Sequence, residues 1–240
     1  MLSLTMHSIL CFLNHNRDTG KTATVRNLAA AMALSGRPAL VVFSEDNLVF
    51  SEEEKYFPFH SGILEDYQIP ALFYMKADTL TAGETLTVVK IREKLTAVLD
   101  VLAPETVVFW DTPSALSAET RTALLLSSGV FIPLGLEGEA FDRLGPSLGL
   151  LEWVRRERQE PLPLMGMIPV CARPDQALSL IFSGPAHKLF RAKMAPVPIP
   201  EDFCVKRAES MGRPVFCEDL LSPAASAYQM LSRWISSCII

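Results

Sequence analysis

The sequence predicts an α/β fold: a doubly wound, mostly parallel sheet with helices on both faces. Three observations carry that expectation. Short apolar runs alternate with longer stretches of helical periodicity along most of the 240 residues, which is the pattern of βαβ units. The first run, Ile9 to Leu13, stops at a polar loop and enters a helix through Gly20-Lys21-Thr22. A later run, Thr106 to Asp111, ends in a carboxylate, at the end of the strand where open α/β sheets place their ligands.

Taken in order, residues 9–22 match most of the P-loop pattern G-x-x-x-x-G-K-[ST]. In that pattern backbone N–H groups surround phosphate, the lysine reaches the β and γ oxygens, and the hydroxyl binds Mg²⁺. Gly20, Lys21 and Thr22 supply the second half, and His15 stands where the first glycine belongs. A Gly-Lys-Thr tripeptide alone is common. Here a strand precedes it, and a helix from Thr22 to Ser35 follows and ends at Gly36, as the motif requires.

The run Ala39 to Phe43 reads as a strand covered on both faces, ending in Ser44-Glu45-Asp46-Asn47. Residues 48–83 are poorly patterned: Glu52 to Lys55 reads as a solvated turn and Tyr56 to Phe59 as a packed loop. A helix is expected from Gly83 to Leu102, with Leu86, Val89, Ile91, Leu95, Val98 and Leu102 on its apolar face. After Thr106–Asp111 come a helix at 118–128, a strand at 130–134, and a helix at 140–158 carrying Leu144, Leu148, Leu151 and Trp153. A strand at 162–170, a helix at 176–188, a short strand at 195–199 and helices at 202–211 and 223–238 complete the reading. With no repeat, low-complexity tract or linker in view, residues 1–240 are expected to form a single P-loop domain.

Composition narrows the function. Hydrophobic residues make up 49% and charged residues 20%, the balance of a globular protein. No apolar run approaches the roughly 18 residues that span a bilayer, and residues 1–6 lack a basic leader. A cytoplasmic protein is therefore expected, with no membrane partner. Cys11, Cys171, Cys204, Cys217 and Cys238 are scattered without C-x-x-C spacing, so buried thiols are expected rather than metal ligands. His7, His15, His60 and His187 are also far apart. The net charge of −5 is unevenly spread. Residues 151–240 carry 11 Lys/Arg against 9 Asp/Glu, while residues 1–150 carry 11 against 18, so any polyanion surface belongs to the C-terminal third.

The motifs together resemble the ParA/MinD family of deviant Walker A P-loop ATPases, from about His7 to Ile235. Family members read N-x-K-G-G-x-G-K-T-T-T followed by N-L-A-A-x-L-A-x-x-G. This chain has Asn14, Gly20-Lys21-Thr22 and Thr24, then Asn27-Leu28-Ala29-Ala30-Ala31-Met32-Ala33-Leu34-Ser35-Gly36. Asp111-Thr112-Pro113-Ser114 is similar to the family's D-T-P-P-S. Ile199-Pro200, Gly212-Arg213-Pro214-Val215 and Ala225 with Ala227-Tyr228 follow the order of its I-P-R, G-K-P-I and A-x-A-Y.

The resemblance implies a P-loop NTPase fold and a cofactor, ATP with Mg²⁺. It implies catalytic roles for Lys21, Glu45 and Asp111, nucleotide contacts from Asn16, Arg17, Asp18, Thr19, Gly20, Lys21, Thr22 and Ala23, and metal contacts from Thr22 and Asp111. It also implies a nucleotide-dependent homodimer and a protein partner or cargo adaptor. The chain departs from the family where the chemistry would be. Asn16 replaces the signature lysine that reaches the partner's phosphates, and Arg17 and Asp18 replace loop glycines, where Arg17 could stand in for that lysine through a bidentate phosphate contact. Phe43 replaces the first carboxylate of a D-x-D pair whose second position is Glu45, and Glu201 replaces the arginine of I-P-R.

The expected function is thus a ParA-like ATP-binding positioning or partitioning protein with weak or absent hydrolysis, non-specific DNA binding being weakened by Glu201. The alternative is a MinD-like pseudo-ATPase scaffold or accessory subunit of a secretion, flagellar or exopolysaccharide machine. A dethiobiotin-synthetase-like ligase fits Asp111–Ser114 and Ala225–Tyr228 poorly. Remaining basic candidates for DNA are Lys188, Arg191, Lys193, Lys206, Arg207 and Arg213. The C-terminal stretch from Leu231 has only Arg233 as a basic residue, so it is expected to pack on the sheet rather than lie on a membrane.

Overall fold

Strand β1 (Ile9–Phe12) has side chains buried on both sides, and that burial dictates two helical layers. Successive side chains of a strand point to opposite faces. Leu10 and Phe12 join one apolar cluster while Ile9 and Cys11 join the other. The computed structural model describes residues 7–16, 19–44, 56–60, 62–81, 87–135, 144–158, 160–171 and 191–239.

The elements after β1 are α1 (Lys21–Leu34), β2 (Ala39–Phe43), β3 (Tyr56–His60), β4 (Ile63–Asp66), β5 (Leu72–Lys76), α2 (Ala77–Thr81), α3 (Val88–Leu99) and β6 (Val107–Asp111). There follow α4 (Ala118–Leu126), β7 (Gly129–Gly135), α5 (Gly145–Glu157), β8 (Leu164–Val170), α6 (Phe203–Ser210) and α7 (Pro223–Cys238). The strands form one eight-stranded sheet in the order β3-β4-β5-β2-β6-β1-β7-β8. Pairings from β5 through β8 are all parallel, and β4 is antiparallel to both β3 and β5. The doubly wound, mostly parallel sheet expected from the sequence is what the chain forms.

On one face α1 lies over Phe12, Phe109 and Phe131, whose rings stack across three adjacent strands at 5.8 and 5.5 Å from Phe12. Helix α1 is buried almost all round, from Ala23 to Ala33. Its alanines let α7 approach closely with Ala224, Ala227, Tyr228, Leu231 and Ile235. The C-terminal helix is therefore a packed core element, as expected. On the other face Ile91, Leu95 and Leu99 of α3, Ala123 and Leu124 of α4, and Leu151 and Val154 of α5 cover Val108, Trp110, Val130 and Ile132.

Several local expectations are corrected. Tyr56 to Phe59 belongs to strand β3 rather than to a loop; its proline sits on the edge of the sheet, where a missing N–H is tolerated. Strands β4 and β5 also arise in the poorly patterned stretch. On α3, Val89 is 64% exposed and Leu99 is buried in its place. Trp153 is partly exposed, with the Arg121 guanidinium 5.1 Å from its ring centre. Residues 195–199 form no strand; the Ala195 and Ile199 N–H groups donate to Met167 and Pro169 carbonyls along the free edge of β8. Among the five thiols only Cys11 is fully buried, and burial pushes its pKa up to about 12. The expected helix at 176–188, the turn at 52–55, and residues 83–86 and 140–143 of two expected helices lie outside the described residues.

Candidate functional site

Parallel pairing brings the two strongest sequence signals to one end of the sheet. Phe12 of β1 is in register with Asp111 of β6, so the loop leaving β1 and the carboxylate ending β6 share the carboxyl edge, between β6 and β7. Asn14 fixes the start of that loop. Fully buried, it donates from Nδ2 to the Pro133 carbonyl at 2.8 Å and accepts the Asn16 N–H on Oδ1 at 3.0 Å. His15, at the missing glycine's position, is tied to α5: its N–H donates to Ser147 Oγ at 3.3 Å, and its Nδ1 lies 3.2 Å from the same hydroxyl. Nothing in the sequence pointed to Ser147.

Gly20 is the N-cap of α1, with φ 66° and ψ 19°. That left-handed conformation suits glycine and leaves the first N–H groups of α1 without intrahelical partners, the arrangement that binds anions. Immediately after it, Lys21 and Thr22 converge on Asp111. Lys21 Nζ donates to Asp111 Oδ1 at 2.8 Å and also to the Thr112 carbonyl. Thr22 Oγ1 donates to Asp111 Oδ2 at 2.7 Å. Lys21 and Asp111 are 5% and 1% exposed, so each ion depends on the other for compensation. The Thr112 hydroxyl donates to the Phe12 carbonyl at 2.7 Å and anchors the turn from β1.

Of the residues expected at the site, Gly20, Lys21, Thr22 and Asp111 are brought together. Asn16 and Thr19 are in the loop, linked by a 3.4 Å bond from Thr19 Oγ1 to the Asn16 carbonyl. Ala23 faces a neighbouring cavity. Arg17, Asp18 and Glu45 lie outside the described residues. Phe43 is buried at the end of β2, in register with Asp111. At the same edge Ser44 Oγ donates to Glu119 Oε1 at 2.9 Å, joining β2 to the first turn of α4.

The donor set suits a magnesium nucleotide. A hydroxyl and a carboxylate 2.7 Å apart are the hard oxygen ligands a small divalent cation takes, with phosphate oxygens and water completing the shell. Among the described residues no group of three or more His, Cys, Asp or Glu side chains is placed to hold a metal without such help. No helix among them is long and apolar enough to cross a membrane.

The sequence also missed a cavity of about 220 Å³ beside the start of α1. It is walled by Gly20 and Ala23, by Val170 and Cys171 at the end of β8, by Ile199 to Asp202, and by α6 and α7. The order of motifs explains why α6 and α7 reach it. Asn27 Oδ1 on α1 accepts the Val215 N–H at 2.6 Å while its Nδ2 donates to the Ala23 carbonyl at 2.8 Å. The N-L-A-A and G-R-P-V segments therefore meet in space.

No family model matches the chain. It is 24% identical over 250 residues to the chromosome partitioning protein ParA of Caulobacter vibrioides, an alignment covering 95% of this chain and 94% of ParA. Its fold superposes on the MinD cell division protein of Aquifex aeolicus with a TM-score of 0.71 and 15% identity, over 96% of this chain and 97% of MinD. It also superposes on the cobyrinic acid a,c-diamide synthase of Mycobacterium smegmatis with bound ADP and magnesium. That match has a TM-score of 0.70 and 18% identity, over 96% of this chain and 94% of the synthase. The P-loop, the Asp111 strand and a likeness running nearly the whole length agree with the resemblance to the ParA/MinD P-loop ATPases, and the solved structures share this chain's fold.

Proposed function

We propose that this chain is a ParA-like nucleotide-dependent positioning or partitioning protein that binds ATP and Mg²⁺ and hydrolyses ATP weakly or not at all. The observation that carries the reading is the convergence of Lys21 and Thr22 on Asp111 at the N-terminus of α1. Lys21 would exchange the Asp111 oxygen for phosphate oxygens, and Thr22 and Asp111 would hold the metal. Backbone N–H groups from Thr19 to Ala23 would face the phosphates, with Asn16, Arg17 and Asp18 forming the rest of the loop. Bound Mg²⁺ supplies charge neutralisation on the β and γ oxygens.

Weak turnover follows from what stands around those groups. Phosphoryl transfer is driven mainly by electrostatic stabilisation, and Asn16 brings a neutral amide where the family has a cation. Glu45 is the remaining candidate for orienting water, because Phe43 has no carboxylate to offer. The reading includes a single domain, a nucleotide-dependent homodimer, a protein partner or cargo adaptor, and a cytoplasmic location.

The C-terminal basic residues favour a protein partner over DNA. Lys206 Nζ donates to Glu201 at 2.8 Å; Arg207 Nε lies 2.9 Å from Glu218, which also pairs with Arg213. Three of the six basic candidates are thus engaged by carboxylates, and this supports the second reading, a MinD-like scaffold or accessory subunit. Calorimetry with ADP or a non-hydrolysable ATP analogue and Mg²⁺, on wild type and Lys21→Ala, tests the site. Binding lost in the variant is expected; equal binding in both proteins would refute the assignment. A DNA shift whose affinity falls steeply with salt would instead favour DNA binding, and with it the association with the nucleoid that the ParA-like reading implies.

A further inference from the structure

The cavity beside α1 is too small for a whole nucleotide and adjoins the loop assigned to phosphate. Its walls at Ala23, Val170, Ile199 and Val205 are apolar, as a planar ring requires. The charged groups around it are mostly engaged. Asp202 accepts the Cys204 and Ala224 N–H groups at 2.8 and 3.0 Å, capping α6 and α7, and Glu201 holds Lys206. Glu209 differs. It lines the cavity one helical turn beyond Val205 and is half-buried, and its carboxylate, unlike its backbone carbonyl, makes no hydrogen bond to any described residue. Burial raises its pKa, and the charge of the buried Arg26 on α1 works in the opposite direction. A carboxylate is an acceptor, and an acceptor in a part-buried wall favours a ligand that brings a donor.

We propose that Glu209 is a specificity-determining residue for the nucleobase: its carboxylate accepts a hydrogen bond from the exocyclic 6-amino group of adenine and disfavours a base with a 6-keto oxygen. This rests on the nucleotide-binding reading of Lys21, Thr22 and Asp111 and adds to it the choice of base. Guanine and hypoxanthine would set a carbonyl oxygen against the carboxylate, an acceptor facing an acceptor. A purine with no 6-substituent would lose the hydrogen bond without the repulsion and bind between the two.

The test is calorimetric titration of wild type, Glu209→Gln and Lys21→Ala with ADP, IDP and purine riboside diphosphate, each with Mg²⁺. Wild type is expected to bind ADP about 10- to 100-fold more tightly than IDP, the range for a hydrogen bond to a charged group, with the unsubstituted purine between. Glu209→Gln, whose amide can donate to a 6-keto oxygen, should bring ADP and IDP to within about threefold. Lys21→Ala should lose all three. Equal binding of ADP and IDP by wild type, or the full preference surviving in Glu209→Gln, would overturn the role of Glu209 while leaving the phosphate site standing. Failure of wild type to bind any of the three would overturn both. If Glu209→Gln does not fold, the three-ligand series on wild type still tests the role: the order ADP, unsubstituted purine, IDP supports it, and any other order overturns it.

Discussion

The buried pair of Lys21 and Asp111 allows a test of the site in the absence of nucleotide. Replacing Lys21 by Met leaves the Asp111 carboxylate, 1% exposed, with the Thr22 hydroxyl but no counter-charge. Replacing Asp111 by Leu leaves the Lys21 ammonium, 5% exposed, with only the Thr112 carbonyl. Removing one partner of a buried ion pair costs about 3–5 kcal/mol, because the other charge stays desolvated, whereas exchanging both for apolar groups is close to neutral. Each single variant should therefore melt roughly 6–20 °C below wild type, at about 2–4 °C per kcal/mol for a chain of this size. The double variant Lys21→Met/Asp111→Leu should recover most of that loss. Its Thr22 hydroxyl, partly exposed, can turn to water. Urea unfolding followed by circular dichroism should give a coupling energy of at least about 2 kcal/mol across the cycle. Additive losses, with coupling under about 0.5 kcal/mol, would show that Lys21 does not rest on Asp111 in the nucleotide-free protein.

Gly166→Ala should destabilise by about 1–3 kcal/mol in chemical unfolding, because a Cβ there collides with Trp234 Cη2 and presses on Phe131. Asn27→Ala should cost about 1–3 kcal/mol by leaving the buried Val215 N–H without its acceptor, with hydrogen exchange speeding up at Val215 first. Asp202→Ala removes the acceptor capping both α6 and α7 and should cost about 1–2 kcal/mol. The Asp202 pKa lies below the ordinary aspartate value: burial raises it, and the Ala224 and Cys204 N–H groups with the Ser222 hydroxyl outweigh that. A depressed folded-state pKa gives a stabilisation that is complete above the unfolded value and lost as pH falls through the folded one. The wild-type advantage over Asp202→Ala should therefore shrink in acid melts and hold steady at neutral pH.

How much of this was legible in the sequence depended on whether a segment is buried on two faces or one. Strands β1, β2, β6, β7 and β8 lie between two helical layers, so they read as continuous apolar runs. The edge pair β3 and β4 carries Pro58, His60, Glu65 and Asp66, and its polar positions broke the run. On α3, a helix covering only one side of the sheet, Val89 passed for a core residue because an apolar side chain matches the period from either flank; its exposure shows that the buried row runs through Ile91, Leu95 and Leu99. The P-loop and Asp111 were legible because their chemistry needs fixed residue types at strand ends. Ser147 and Glu209 were not: Ser147 acts through His15, 132 residues away in sequence, and Glu209 meets the cavity walls Val170 and Ile199 only in the folded chain.

The missed cavity has one physical source, the position of the first turn of α1 between two kinds of environment. Toward Asp111 it meets charge. Lys21 and Thr22 point there, and Asp111 is held in place by β6. Away from Asp111 it meets apolar walls and α6, with Ala23 and Gly20 on the cavity. Asn27 fixes the second environment relative to the first, because one side chain bonds the Ala23 carbonyl and the Val215 N–H. A ligand that must satisfy both needs a polyanionic end and a flat, weakly polar end joined by a short spacer, which is the chemical description of a nucleotide. Only the first environment is written as a local motif. The second is assembled from Val170, Ile199 and Glu209, spread over 40 residues, and it comes into being only when α6 and α7 pack on α1. Changes in that half can therefore alter which nucleotide is chosen while the P-loop stays intact, and the positions to watch are those on α6 that face Ala23.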